Sequence, residues 1–197
     1  GTRHISRLQV LLWNESPLVL SSTELGAMGV LVSHLTNNNE RSTGSAAMSI
    51  HLERTTVLTA TACLQQFCFT SYEGRPVQMP LTLRLDADFC DIFEVRGYQR
   101  PQRGRTVRRG SDGALELLYR GLDGEDRITL LRMSDPVQDV NAEDIGLVLT
   151  LEPRQTYRLF LVLDFHPAAE PLGADEHYNA ALAPASQRFR EGRRPAP

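Results

Sequence analysis

Two carboxylates, Asp88 and Asp91, stand three apart in the segment D-A-D-F-C-D-I-F-E-V of residues 86–95. If that segment is helical, the spacing puts both on one face. Two carboxyl groups about 5–10 Å apart are the acid and base of glycoside hydrolysis. No aromatic sugar platform is evident beside them, however, and the chain holds a single Trp. The expectation is structural: Phe89, Ile92 and Phe93 fall at helical spacing, Asp86 or Asp88 is available as the cap, and Asp88 holds backbone amides. The apolar side of this short turn should pack over the end of a sheet.

Immediately after it, Arg96, Arg100, Arg103, Arg105, Arg108 and Arg109 lie within fourteen residues without an intervening acid. Such a patch could hold nucleic acid. Tyr98 is the one aromatic interleaved there, which gives no stacking platform. The preceding Asp86, Asp88, Asp91 and Glu94 offer another destination, mutual neutralisation within the domain or across an interface. All 21 basic residues are Arg, scattered along the chain, and the net charge is -3. That balance gives no general attraction to nucleic acid or to an anionic membrane.

Other chemistry finds little support. There is no Gly-x-Ser-x-Gly elbow, and Ser21, Ser22 and His34 form a triad only on paper. No Walker A sequence is present, and Gly26-Ala27-Met28-Gly29 is too short to replace one. Cys63, Cys68 and Cys90 lack the CxxC spacing of metal sites, and His4, His34, His51, His166 and His177 supply no partner pattern. Cys63 and Cys68, five apart on one strand, point to opposite faces and cannot bridge. Reduced thiols in a cytoplasmic protein, with no metal and no cofactor, are the expectation. No signal peptide and no apolar run of about 20 residues is visible, so no membrane partner is expected.

The elements that must position these residues read as strands. Leu81, Leu83, Leu85 and Ala87 alternate with Thr82, Arg84, Asp86 and Asp88, and Leu115, Leu117 and Tyr119 alternate likewise. Tyr157 to Phe165 is apolar on much of both faces, as in a strand covered on both sides. Further strands are expected over 7–13, 28–35, 46–54, 60–72, 126–133 and 144–151. Turn chemistry separates them at Glu73-Gly74-Arg75-Pro76, Ser111-Asp112-Gly113 and Leu122-Asp123-Gly124, with a polar loop from Asn37-Asn38-Asn39 to about Gly44. Many short strands with such turns predict an all-β antiparallel sandwich with one short helical turn near 86–95. From Pro167 the composition becomes rich in Ala, Pro and Gly, as in a linker. A short helix fits Asp175 to Ala183, and the Arg- and Pro-rich residues 188–197 should be mobile. A sandwich over 1–166 that runs into a linker over 167–197 has the form of an N-terminal module parted from its neighbour.

Residues 81–97, L-T-L-R-L-D-A-D-F-C-D-I-F-E-V-R-G, resemble a strand and D-F-x-D-x-F-E-V-R-G signature in the N-terminal β-domain of bacterial glycogen debranching enzyme-like glycoside hydrolases, the amylo-α-1,6-glucosidase type. Tyr119-Arg120-Gly121-Leu122-Asp123-Gly124 is similar to that family's Y-x-G-L-D-G turn. Thr2-Arg3-His4-Ile5-Ser6 is similar to its D-T-R-Y-L-S strand, with Gly1 in place of Asp and His4 in place of Tyr. Pro17 to Ser22 matches the P-x-x-L-S-S that follows. The strands that precede these motifs in the family are absent here.

The resemblance covers about residues 1–165 and implies a large two-layer sandwich of the supersandwich type, preceding an (α/α)6 barrel that carries the catalytic carboxylates. It implies hydrolysis of α-1,6 branches in glycogen-like glucans by the whole enzyme, and no catalytic residue in this chain. Asp88, Asp91, Glu94 and Arg96 match the signature and are the candidate site residues, expected at a domain interface or at the edge of a glucan cleft. The expected partners are the protein's own C-terminal catalytic domain and an α-glucan. The alternative is a stand-alone carbohydrate-binding or protein-interaction sandwich.

Overall fold

The computed structural model describes residues 1–25, 29–38, 46–111, 114–136, 139–140, 144–167 and 172–192. Along these residues run β1 (Arg7–Leu12), β2 (Leu18–Leu25), β3 (Val30–Thr36), β4 (Ile50–Leu58), β5 (Ala62–Ser71), β6 (Val77–Asp86), α1 (Ile92–Val95), β7 (Arg105–Ser111), β8 (Ala114–Arg120), β9 (Asp126–Met133), β10 (Asp139–Val140), β11 (Asp144–Leu151), β12 (Thr156–Asp164) and α2 (Ala174–Gly192). Two antiparallel sheets form, one of four strands in the order β1-β6-β11-β10 and one of eight in the order β2-β3-β4-β5-β12-β9-β8-β7. The all-β two-layer sandwich expected from period two is the fold.

Alternation decides which face is buried. In β6, Val77, Met79, Leu81, Leu83 and Leu85 are buried between Gln78, Pro80, Thr82, Arg84 and Asp86. Met79, Leu81, Leu83 and Leu85 meet Leu52, Phe67, Phe69, Leu159, Leu161 and Leu163 from the larger sheet in one core. Each such side chain contributes about 1.5–3 kcal/mol on burial. Pro80 sits inside a central strand, where a missing N–H normally breaks the ladder. Its carbonyl accepts from Trp13 N at 2.9 Å, just past the last β1 partner, Leu12 opposite Leu81. The N–H that Pro80 lacks would point the same way, beyond the end of β1, so no rung is lost.

The double-sided apolar character of 157–165 has a cause that lies outside the sandwich. Leu159, Leu161 and Leu163 of β12 face the main core. Val162 and Phe160 face outward into a second cluster with Val30, Val57, Leu64, Ala174 and Tyr178. Helix α2 lies on this outer face, and Tyr178, 1% exposed, is its anchor. The helix is therefore longer than the 175–183 expected from sequence, and its first turns belong to the folded body. Arg132 fastens its start, pairing with the buried Asp164, donating to Leu172 O and approaching His177 Nδ1 at 3.4 Å.

Three strands went unread. β2 is exposed along nearly its whole length and offers no alternation, β7 is the arginine run, and β10 has two residues. The expected strand start at Met28, the expected polar loop from Asn39 to Gly44, the turn residues Asp112 and Gly113, the glycine segment residues 26–28 and the last residues 193–197 lie outside the described residues.

Candidate functional site

The three segments singled out by sequence meet at one end of the sandwich. Arg3 N donates to Cys90 O at 2.8 Å, Thr2 bridges to Asp91, and Ser6 N donates to Asp86 O at 2.9 Å. The 2–6 segment thus lies along the 86–91 segment. The 119–124 turn closes the corner: Arg127 donates from Nε to Thr2 Oγ1 at 3.2 Å and from Nη2 to Asp123 Oδ2 at 2.7 Å. Phe89 stacks on Tyr119 with centroids 5.4 Å apart and planes at 10°. A Cβ at Gly121 would displace the Asp123 carboxylate and the Arg127 guanidinium from their pairing.

Two expectations for 86–95 are corrected. The cap is neither Asp86 nor Asp88 but Asp91. Asp91 Oδ1 accepts from Phe93 N at 2.8 Å and Glu94 N at 2.9 Å, while Glu94 Oε2 accepts from Asp91 N at 3.1 Å. This reciprocal capping box starts the helix at Ile92. Asp88 and Asp91 therefore do not share a helical face. Nor does the helix pack its apolar side over the sheet. Phe89, which precedes it, is 3% exposed at φ 50°, whereas Ile92 and Phe93 are 50% and 62% exposed. A left-handed Phe costs about 1–3 kcal/mol and persists only where packing holds it, here against Tyr119. The polar side of α1 faces the arginines, which leaves the apolar side outward.

All four candidate residues are near one another, but in different states. Asp88 pairs with Arg3 and accepts from Cys90 N at 3.1 Å. Asp91 pairs with Arg100. Glu94 receives Arg103 Nε at 3.1 Å and Arg100 Nε at 3.6 Å. The Arg96 side chain makes no ion pair among the described residues. Of the six arginines of the run, Arg100 and Arg103 are thus neutralised by the acids that precede it. Farther along, Arg109 meets Glu116 at 3.5 Å and Arg108 donates to Leu85 O at 3.1 Å.

A cleft of about 210 Å³ opens between these segments, lined in part by Thr2, Asp91, Glu94, Arg100, Asp123 and Arg127. Its two aspartates are poor proton donors. The Glu94 N–H and the Arg100 guanidinium lower the Asp91 carboxyl, and Arg127 brings Asp123 down to about 2. Burial raises Asp88, but Arg3 and Cys90 N–H outweigh it and the net direction is down. A general acid at neutral pH needs the opposite shift. Among the described residues no three His, Cys, Asp or Glu side chains converge as metal ligands. Cys63, Cys68 and Cys90 are free thiols, and burial pushes the Cys63 thiol up, away from nucleophilic reactivity. His34 Nδ1 lies 3.1 Å from His51 Nε2, and Ser22 Oγ lies 3.0 Å from Ser33 Oγ, so the paper triad is not assembled. No helix among the described residues is long and apolar enough to cross a membrane.

Fold and site together define an antiparallel sandwich domain whose charged end is held by ion pairs. Residues 1–162 match the N-terminal domain of (some) glycogen debranching enzymes, and the chain belongs to that family. Among solved structures it is similar to a chain assigned as a kojibiose phosphorylase from the human microbiome, at 13% identity and TM-score 0.58. That match covers 95% of this chain and 26% of the other, so this chain spans about a quarter of its length. More distant likenesses include the Slr1438 protein of Synechocystis sp. PCC 6803 (11% identity, TM-score 0.45, 77% of this chain and 66% of that one) and the polysaccharide lyase BACCELL_00875 (12%, 0.39, 82% and 25%). No curated protein matches the sequence significantly.

Proposed function

We propose that this chain is the non-catalytic N-terminal β-domain of a glycogen debranching enzyme of the amylo-α-1,6-glucosidase type, working in the cytoplasm. Residues 1–166 form the sandwich and 167–197 lead toward an (α/α)6 catalytic domain, which the sandwich supports. The end built from 2–6, 88–97 and 119–124 faces that domain or the edge of its glucan cleft, with Asp88, Asp91, Glu94 and Arg96 as its charged residues. One observation carries the reading: Asp88, Asp91, Glu94 and Asp123 are each held by an arginine where the three family segments meet. Carboxylates saturated in this way position backbone and do not transfer protons. Incubating the 197-residue chain with a phosphorylase limit dextrin tests the reading. No release of glucose is expected, and sustained release would overturn it.

A further inference from the structure

The capping box and the ion pairs explain the polar side of α1 but not what lies on its other side. Ile92, Phe93, Val95 and Tyr98 are 50%, 62%, 45% and 59% exposed within seven residues. Two of them, Phe93 and Tyr98, border one groove with Arg96 and Arg100. The groove measures about 450 Å³, within the ordinary range of small-ligand sites.

Its chemistry is particular. Two aromatic rings offer apolar faces, and Tyr98 adds a hydroxyl at its tip. Two guanidiniums offer planar forks of N–H donors. Arg100 is oriented by Asp91 and Glu94, whereas Arg96 has no carboxylate partner among the described residues. The platform is also preorganised. Tyr98 N donates to Phe93 O at 3.0 Å, Arg96 N closes on Phe93 O at 3.1 Å, and Gly97 takes φ 101° to turn the chain between them. The backbone that carries the two rings therefore needs no reordering when a ligand arrives. A ligand fitting this surface presents a flat C–H face to each ring and hydroxyl oxygens to the arginines, which describes a pyranose sugar. The net charge of -3 disfavours a polyanion.

We infer that the Phe93–Tyr98 groove is a surface site for an α-glucan chain, its rings stacking on glucosyl units and Arg96 and Arg100 donating to their hydroxyls. The assignment of α-linked glucose rests on the debranching reading above. The site holds substrate beside the catalytic domain and does not cleave it.

The test is calorimetric titration of the 197-residue chain with maltoheptaose, with cellopentaose as the β-linked control and glucose release measured on the same samples. Binding of maltoheptaose is expected, weakened roughly tenfold or more in F93A/Y98A and severalfold in R96Q, and unchanged in I92S. All four side chains are exposed, so unchanged melting midpoints are expected in every variant. Absence of heat with maltoheptaose at millimolar concentration overturns the inference, as does binding that F93A/Y98A leaves intact. Concentration-dependent self-association removed by the ring substitutions, with no sugar heat, assigns the patch to protein contact and also overturns it. Failure of binding with no glucose release sinks the groove alone, whereas glucose release sinks the non-catalytic reading.

Discussion

Asp91 and Glu94 hold each other in place: Glu94 N donates to Asp91 Oδ1 at 2.9 Å, and Asp91 N donates to Glu94 Oε2 at 3.1 Å. Both acids therefore serve the backbone before they serve any ligand, and each then anchors an arginine. A four-residue helix has no intrinsic stability, and this pair is what makes it persist. Asp91→Ala should lower the thermal midpoint by about 2–4 °C, the size expected for a lost cap in a chain of this length. Differential scanning calorimetry reads it. An unchanged midpoint would show that α1 is fixed by other contacts.

The start of α2 depends on a buried charge. Asp164 is 5% exposed and is paired with Arg132, which also holds Leu172 O. Removing one member of a buried pair leaves the other uncompensated and typically costs about 3–5 kcal/mol. Asp164→Ala should therefore lose stability of that order in urea unfolding and expose the first turns of α2, from Ala174, to protease before the sandwich unfolds. Resistance equal to wild type would show that Tyr178 packing alone holds the helix.

Acid should act in two stages. Burial lowers His4, with His166 and Arg127 adding to the effect, below its ordinary 6.5. Its ring packs against Phe89 and Phe165 at 5.7 and 5.2 Å and lies 3.3 Å from Thr129 Oγ1. The unfolded chain therefore takes up this proton first, and stability falls as pH drops below 6.5. Asp123 behaves differently, because Arg127 depresses it from 3.8 to about 2 in the folded state. Its contribution is complete above 3.8 and is lost as pH falls toward 2. Urea midpoints measured across the acid range should show both limbs. His4→Tyr should remove the first and Asp123→Asn should flatten the second.

The sandwich was legible because alternation is a local property. β6, β8 and β12 carry their burial pattern in consecutive residues, and each is paired as that pattern requires. What escaped depends on partners remote in sequence. β7 is a run of arginines and becomes a strand only because β8 pairs with it, Val107 opposite Leu118 and Arg109 opposite Glu116. The start of α1 could not be read either, since Asp86, Asp88 and Asp91 are all chemically able to cap. Arg100 and the Thr2 bridge select Asp91 from outside the segment. Phe89 looked helical by spacing, yet its left-handed backbone and its stack on Tyr119 make it the plug beneath the helix. The convergence of 2–6, 88–97 and 119–124 depends on contacts between residues remote in sequence, which no single segment carries.

The acids at this end act as fasteners, and under the proposed function the bond cleavage of the whole enzyme belongs to another domain. Glucose release from a limit dextrin by the purified 197-residue chain tests it most directly, run beside the D91N/E94Q variant. No release is expected from either protein, together with a lower melting midpoint for the variant. Steady release by the wild-type chain that D91N/E94Q abolishes would contradict it.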